Sequence, residues 1–156
     1  NKQHLSSTFS TGLPYAEPIT ANDFHGGELG IQGTRSAETL KLWIGLRQLG
    51  EDGIEKILVD SIRRRCYLES IIDSSKFKII SGPLHLLAIT PFNYSSSQSF
   101  DWSAKTRSSL LAKKFMLSRP LYGDRYYLKA VMGNPNTSFD DLKILANLIN
   151  HSINLL

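Results

Sequence analysis

The chain has 156 residues, 41% of them apolar and 21% charged, and its 18 Lys and Arg against 14 Asp and Glu leave a net charge of +4. This is ordinary globular usage, which excludes disorder and a collagen-like repeat, while the single Cys66 excludes an internal disulfide framework. The mild basic excess permits an anionic ligand without demanding nucleic acid. No apolar run reaches the roughly 18 residues of a membrane span, and NKQHLSST lacks the apolar core of a signal peptide. His4, His25, His85 and His151 show no metal-ligand spacing, so no metal site is expected. A reducing cytoplasm is the expected home, and the start at Asn1 suggests a piece of something longer.

Residues 1–26 carry isolated apolar anchors among Ser, Thr, Gly and Pro, and they read as a loop that is either functional or packed on a partner. Gly27, Gly30 and Gly33 then allow tight turns. Thr34 opens a helix, and Arg35 adds a charge at a helix start whose free N–H groups favour an anion. The plainer reading of the same residues is a turn and an N-cap. Leu40, Trp43, Ile44, Leu46 and Leu49 give this helix its apolar side, and Gly50 supplies a left-handed stop. A second helix starts at Glu51 and Asp52, with a stripe of Ile54, Ile57, Leu58, Ile62 and Cys66 running towards Ile71 and Ile72. On this reading Cys66 is core and Arg63, Arg64 and Arg65 form a solvated face.

Phe77 to Ser81 and Leu84 to Phe92 read as strands split by a Gly82-Pro83 turn, the second apolar enough to be central, with His85 at its core or rim. NYSSSQS, residues 93–99, reads as a loop, and Asp101 as the cap of a helix to about Lys114. Phe115 to Leu121 and Arg125 to Met132 form a hairpin across Tyr122, Gly123 and Asp124. Ser138 and Asp141 make a capping box for a last helix whose core face is Phe139, Leu142, Leu145, Leu148, Ile149 and Ile153. The order implies an α+β fold, with a four-stranded antiparallel sheet carrying helices on one face.

No Ser, His and Asp arrangement, zinc-ligand pairs, Walker loop or G-x-S-x-G elbow occurs, and the glycine series lacks dinucleotide-fingerprint spacing. The aromatic signature of an RNA-binding sheet is missing, since Tyr126 and Tyr127 are adjacent and face opposite ways.

Taken in order, Thr34-Arg35, Leu40-Lys41-Leu42-Trp43, Leu49-Gly50-Glu51-Asp52-Gly53, Leu128-Lys129 and Asn134-Pro135 resemble the C-terminal third of the group II pyridoxal-phosphate-dependent amino acid decarboxylases. The resemblance implies the C-terminal small domain of a fold type I enzyme. Residues 1–34 would be the end of the large domain with its catalytic loop, 35–75 two connecting helices, and 76–156 the small domain. It also implies a homodimeric cytoplasmic lyase acting on an amino acid, without nucleic acid or membrane as partner.

Residue by residue, the resemblance makes Tyr15 the loop tyrosine that serves as general acid, where the residue alone reads as a loop anchor. Thr34 lines the substrate pocket beside the helix arginine, Arg35. Lys129 stands where glutamate-type members carry an arginine for a substrate carboxylate, and this departure leans towards the L-2,4-diaminobutyrate branch. The plain reading of Lys129 is an exposed strand lysine. The family's cofactor lysine follows a histidine, and no His-Lys pair occurs here. The fragment is therefore expected to contribute no residue that binds pyridoxal 5'-phosphate and to be inactive alone. The alternative from another class is a basic binding module for RNA or an acidic protein, resting on Arg63 to Arg65, or a non-catalytic interaction domain.

Overall fold

A computed structural model describes residues 38–155, together with His4 and Thr8. The expectations for Tyr15, Thr34, Arg35 and the glycine-rich stretch lie outside the described residues. The chain divides into two compact units, residues 1–50 and 51–156. Helix α1 spans Glu38–Ile71 with a non-helical break at Gly50, whose φ of 66° and ψ of −177° fall in a region open essentially to glycine alone. Gly50 ends the first helical segment as expected, although by this extended left-handed geometry and not by the common αL one.

In the first unit, Leu40, Leu42, Trp43, Ile44, Leu46 and Leu49 are all exposed. The Arg47 guanidinium lies 5.7 Å from the Trp43 ring centroid.

In the second unit, β1 (Phe77–Ser81), β2 (Leu86–Pro91) and β5 (Leu128–Val131) form an antiparallel sheet in the order β1-β2-β5, which puts the apolar β2 at the centre. Pairing of Ile79 with Ile89 and of Ile89 with Leu128 fixes the register. Because side chains alternate across a strand, Phe77, Leu87, Ile89, Leu128 and Ala130 fall on one face. That face packs on Leu68 of α1 and Ile72 just after it, Trp102 and Leu110 of α2 (Ser96–Ala112), and Leu142, Leu145 and Ile149 of α3 (Phe139–His151). The fold is α+β, with helices on one face of the sheet.

Four local expectations are corrected. The sheet has three strands, not four. The chain before the hairpin contributes a single bridge between Ser118 and Lys129 and then a two-residue ribbon, β3 (Leu121–Tyr122) against β4 (Arg125–Tyr126). Lys114 at φ 67° turns the chain out of α2, and Pro120, having no N–H to donate, breaks the ladder between the bridge and the ribbon.

Helix α2 begins at Ser96, capped by Ser95 and not by Asp101. The Ser95 hydroxyl accepts from the Gln98 backbone N–H at 3.3 Å, and the Gln98 side-chain Oε1 accepts from the Ser95 N–H at 2.8 Å. This capping box satisfies two otherwise orphan donors, so residues 96–99 are helix and not loop.

The buried face of α1 runs through Ser61, Arg64 and Leu68 and on to Ile72 just beyond the helix, leaving Cys66, Ile57 and Leu58 exposed. That face is rotated from the expected stripe because Arg64 turns inwards. Finally, Phe139 is half exposed, lying edge-on to Tyr67 with centroids 4.9 Å apart. The cap of α3 is as expected: the Ser138 hydroxyl accepts from the Asp141 N–H at 3.1 Å, and the Asp141 carboxylate accepts from the Ser138 N–H at 2.9 Å.

Candidate functional site

The face of the sheet away from the helices carries Ile80, Leu86, Ala88, Lys129 and Val131. With the ribbon it bounds a cavity of about 420 Å³, lined by Ile80, Leu86, Ala88, Leu121, Tyr127 and Lys129 among others. That volume suits a small molecule. Among the described residues of the lining, Lys129 is the only Lys, Arg, Asp, Glu or His.

The backbone fixes Lys129 from both sides. It stands opposite Ala88 on β2, while on its other side its N–H donates to the Ser118 carbonyl at 2.8 Å and its carbonyl accepts from the Ser118 N–H at 3.1 Å. The two-residue ribbon is held against the sheet by the Thr90 hydroxyl, which donates to the Tyr126 carbonyl at 3.0 Å. It is also held by the Arg119 guanidinium, stacked 4.6 Å from the Phe100 centroid and 4.8 Å from that of Tyr126. Pro120, Leu121, Tyr122 and Tyr127 thus form one wall of the cavity, and the sheet forms the floor.

Chemically, an ammonium group on a half-buried apolar floor attracts one anionic group. It offers a point charge and not the two-pronged fork of an arginine. An apolar lining with one cation selects a molecule that joins an apolar body to a carboxylate. Sequence reasoning found Lys129 but missed the tyrosine wall, although Tyr122 and Tyr127 pack edge to face at 6.3 Å. Tyr127 follows Pro120 across the ribbon, its N–H donating to the Pro120 carbonyl at 3.0 Å, and the proline was the signal for that wall.

The three arginines of α1 do not make a basic patch. Arg63 is exposed and paired with Asp60 at 3.2 Å, but Arg64 is buried. The Arg65 side chain donates to the Leu84 carbonyl at 3.1 Å and to Glu69 at 2.7 Å. Glu69 also accepts from the Ser81 hydroxyl at 2.7 Å, so this cluster ties α1 to the turn between β1 and β2. The Ser81 hydroxyl first, and Arg65 with it, hold the Glu69 carboxyl below its usual range against a smaller opposing effect of burial. Among the described residues no group of His, Cys, Asp and Glu is arranged to hold a metal ion, and no helix is long and apolar enough to cross a membrane.

The chain matches no protein-family model. Solved structures do resemble it. Mouse CSAD aligns over 95% of this chain and 34% of its own, with a TM-score of 0.63 and 17% identity. Oryza sativa TDC, solved with PLP and tryptamine, aligns over 74% of this chain and 26% of its own, with a TM-score of 0.64 and 13% identity. The glutamate decarboxylase domain of diaminobutyrate-pyruvate transaminase and L-2,4-diaminobutyrate decarboxylase from Vibrio parahaemolyticus aligns over 76% and 26%, with a TM-score of 0.59 and 16% identity.

The chain therefore spans about a quarter to a third of the length of these proteins. Pyridoxal phosphate does not fit the described residues. The Lys129 cavity has neither a carboxylate for a pyridine nitrogen nor a histidine to stack on the ring. At these identities the likeness is one of architecture, and the chain has the α+β fold found within the pyridoxal-phosphate decarboxylases it resembles.

Proposed function

We propose that this chain is the C-terminal part of a pyridoxal-phosphate-dependent L-amino acid decarboxylase, most like the L-2,4-diaminobutyrate and glutamate group. The intact protein would be a cytoplasmic homodimer that supplies the cofactor and its lysine from residues outside this chain. Residues 1–34 would close the large domain and carry the catalytic loop, 35–75 the connecting helices, and 76–156 the small domain. The observation that carries the reading is the shared architecture over 95% of the chain, together with the ordered motifs from Thr34-Arg35 to Asn134-Pro135.

Within that reading each residue has a task. Tyr15 holds a phenolic proton for the substrate carbon after carbon dioxide leaves. Thr34 sets the width of the side-chain pocket next to Arg35. Lys129, held on β5 between Ala88 and Ser118, offers its ammonium group to a substrate carboxylate.

The test is decarboxylation by the intact protein, measured as carbon dioxide released from a panel holding L-2,4-diaminobutyrate, glutamate, a sulfinate amino acid and aromatic amino acids. Activity on any of them, with none from the 156-residue chain alone, supports the proposal; a parent that binds pyridoxal phosphate yet decarboxylates nothing refutes it. Tyr15→Phe should depress turnover far more than cofactor binding. Lys129→Met should raise KM for acidic substrates while sparing the aromatic ones, and an equal change for both would remove Lys129 from substrate recognition.

A further inference from the structure

Helix α2 closes on a pair of backbone bonds: the Lys114 N–H donates to the Leu111 carbonyl at 2.9 Å and the Phe115 N–H to the Leu110 carbonyl at 2.9 Å. That pattern needs a left-handed residue just past the cap, a position that glycine usually fills. Here Lys114 fills it at φ 67°, a conformation that costs a non-glycine residue free energy.

Beyond Lys114 the chain runs beside β5 but pairs with it at a single rung. Lys129 exchanges backbone bonds with Ser118 at 2.8 and 3.1 Å, while the Met132 N–H turns the other way, to the His85 carbonyl at 3.0 Å. Because bonding directions alternate along an antiparallel strand, the Val131 N–H and carbonyl face the same side as those of Lys129. In register their partner would be Met116, yet no backbone hydrogen bond joins the two. The segments part there, and the gap is a cavity of about 280 Å³, lined by Met116 and Leu117 on one side and by Ala130 and Val131 on the other.

The inner wall is apolar, formed by the buried Leu117, Met132, Leu142 and Leu145. Lys114, Asn134 and Thr137 supply the polar part of the lining. The Asn134 Oδ1 is taken up by the Asn136 N–H at 3.0 Å, which leaves its amide nitrogen to donate. Among the described residues of the lining Lys114 is the only charged one, and it forms no ion pair with any described residue. No described residue lines both this cavity and the one around Lys129.

We propose that this cavity binds a small carboxylate with an apolar tail, the tail against Leu142 and Leu145 and the carboxylate at Lys114 and the open Val131 N–H. A carboxylate accepts from an ammonium and from a backbone N–H together, and such charge-assisted bonds are the strong ones. With no Asp or Glu among the described lining residues, a cationic ligand has nothing to pair with. One open rung is too short to pair a peptide strand. The volume lies just below the usual range for drug-sized ligands, which limits the tail to a short branched chain or a single ring.

The test uses the 156-residue chain in ¹⁵N–¹H spectra at fixed pH and ionic strength, titrated with isocaproate and, separately, with phenylacetate, the amide of each acid serving as its uncharged control. Saturable shifts of the Val131 and Thr137 backbone amides with at least one carboxylate are expected, the matching amide binding about tenfold or more weakly. Lys114→Gly removes the ammonium and suits the left-handed backbone, so it should keep a Tm at least as high as the parent's and lose the saturable response. Lys113→Met removes the same charge from an adjacent position outside the lining and should bind as the parent does.

Shifts that stay linear with both carboxylates would overturn the proposal, as would an amide that saturates as tightly as its acid. So would binding unchanged in Lys114→Gly, or an equal loss in Lys113→Met, which would reduce the effect to general charge.

Discussion

The start of α2 offers a sharp test, because two residues compete for the role of cap and the structure assigns it to one. Ser95 accepts from the Gln98 N–H at 3.3 Å through its hydroxyl, while Asp101 is exposed in the second turn of the helix with no hydrogen bond to any cap. Replacing an N-cap serine by alanine costs about 1 kcal/mol, within a range of roughly 0.5–2. A charge this far into a helix gains little from the macrodipole, whose influence fades after the first turn. Ser95→Ala should therefore lower stability by about 1 kcal/mol and Asp101→Ala by only a few tenths. For a unit the size of residues 51–156, 1 kcal/mol moves Tm by roughly 4–8 °C. Thermal unfolding followed by circular dichroism on the two variants and the parent chain resolves that difference. The reasoning fails if Asp101→Ala costs as much as Ser95→Ala, or if Ser95→Ala is silent, since either result would put the helix start downstream.

Strand β5 tests the two faces of the sheet within four residues. Leu128 is fully buried opposite Ile89 and Val131 is 52% exposed. Leu128→Ala should cost about 2–5 kcal/mol and Val131→Ala within about 0.5, read from urea midpoints; comparable costs would mean that the open face is covered in solution. A third prediction concerns acid. Glu69 has a carboxyl held low by Ser81 and then Arg65, so its contribution is fully present above the unfolded carboxylate pKa and is lost as pH falls through the lower folded value. Urea midpoints should therefore drop as pH is taken from the usual carboxylate range to below it, and Glu69→Gln should start less stable and lose less over that interval. A steeper loss in Glu69→Gln than in the parent would reverse the assigned sign.

Much of this fold was legible because its signals are local. Gly50 as a helix stop, Ser138 with Asp141 as a cap, and the apolar run centred on Leu87 and Ile89 each depend on neighbours within a few positions. The misreadings share one cause, a competition that only tertiary contact decides. Ser95 with Gln98 was a capping box in plain sight, but it stood inside a run of serines that equally describes a loop. Pro120 shortened the fourth strand, yet the Ser118 to Lys129 bridge survived on the side that the proline does not touch. Amphipathic periodicity pointed to Cys66 as core, whereas the inward turn of Arg64 to the Met132 carbonyl rotates the helix face and leaves Cys66 in solvent.

The same arginine explains why the candidate sites differ in how far the sequence reveals them. Lys129 could be picked out only because the family resemblance gives a role to the strand position before Asn134-Pro135. The cavity around it depends on a ribbon that Arg119, Phe100 and Tyr126 lock by stacking, and these three positions have no sequence period in common. Arg63, Arg64 and Arg65 form one charged run in the sequence and three separate situations in the fold: a surface pair with Asp60, a buried cation on a backbone carbonyl, and a clamp on the β1–β2 turn. Successive helix positions differ by about 100° in direction, so a run of like charges divides itself among solvent, core and turn. A triple substitution of the run by alanine would therefore lose core and turn contacts along with charge. Arg63→Ala alone is the variant that tests surface electrostatics: it should leave stability within about 0.5 kcal/mol, and any loss of affinity for a polyanion that it shows cannot be blamed on unfolding.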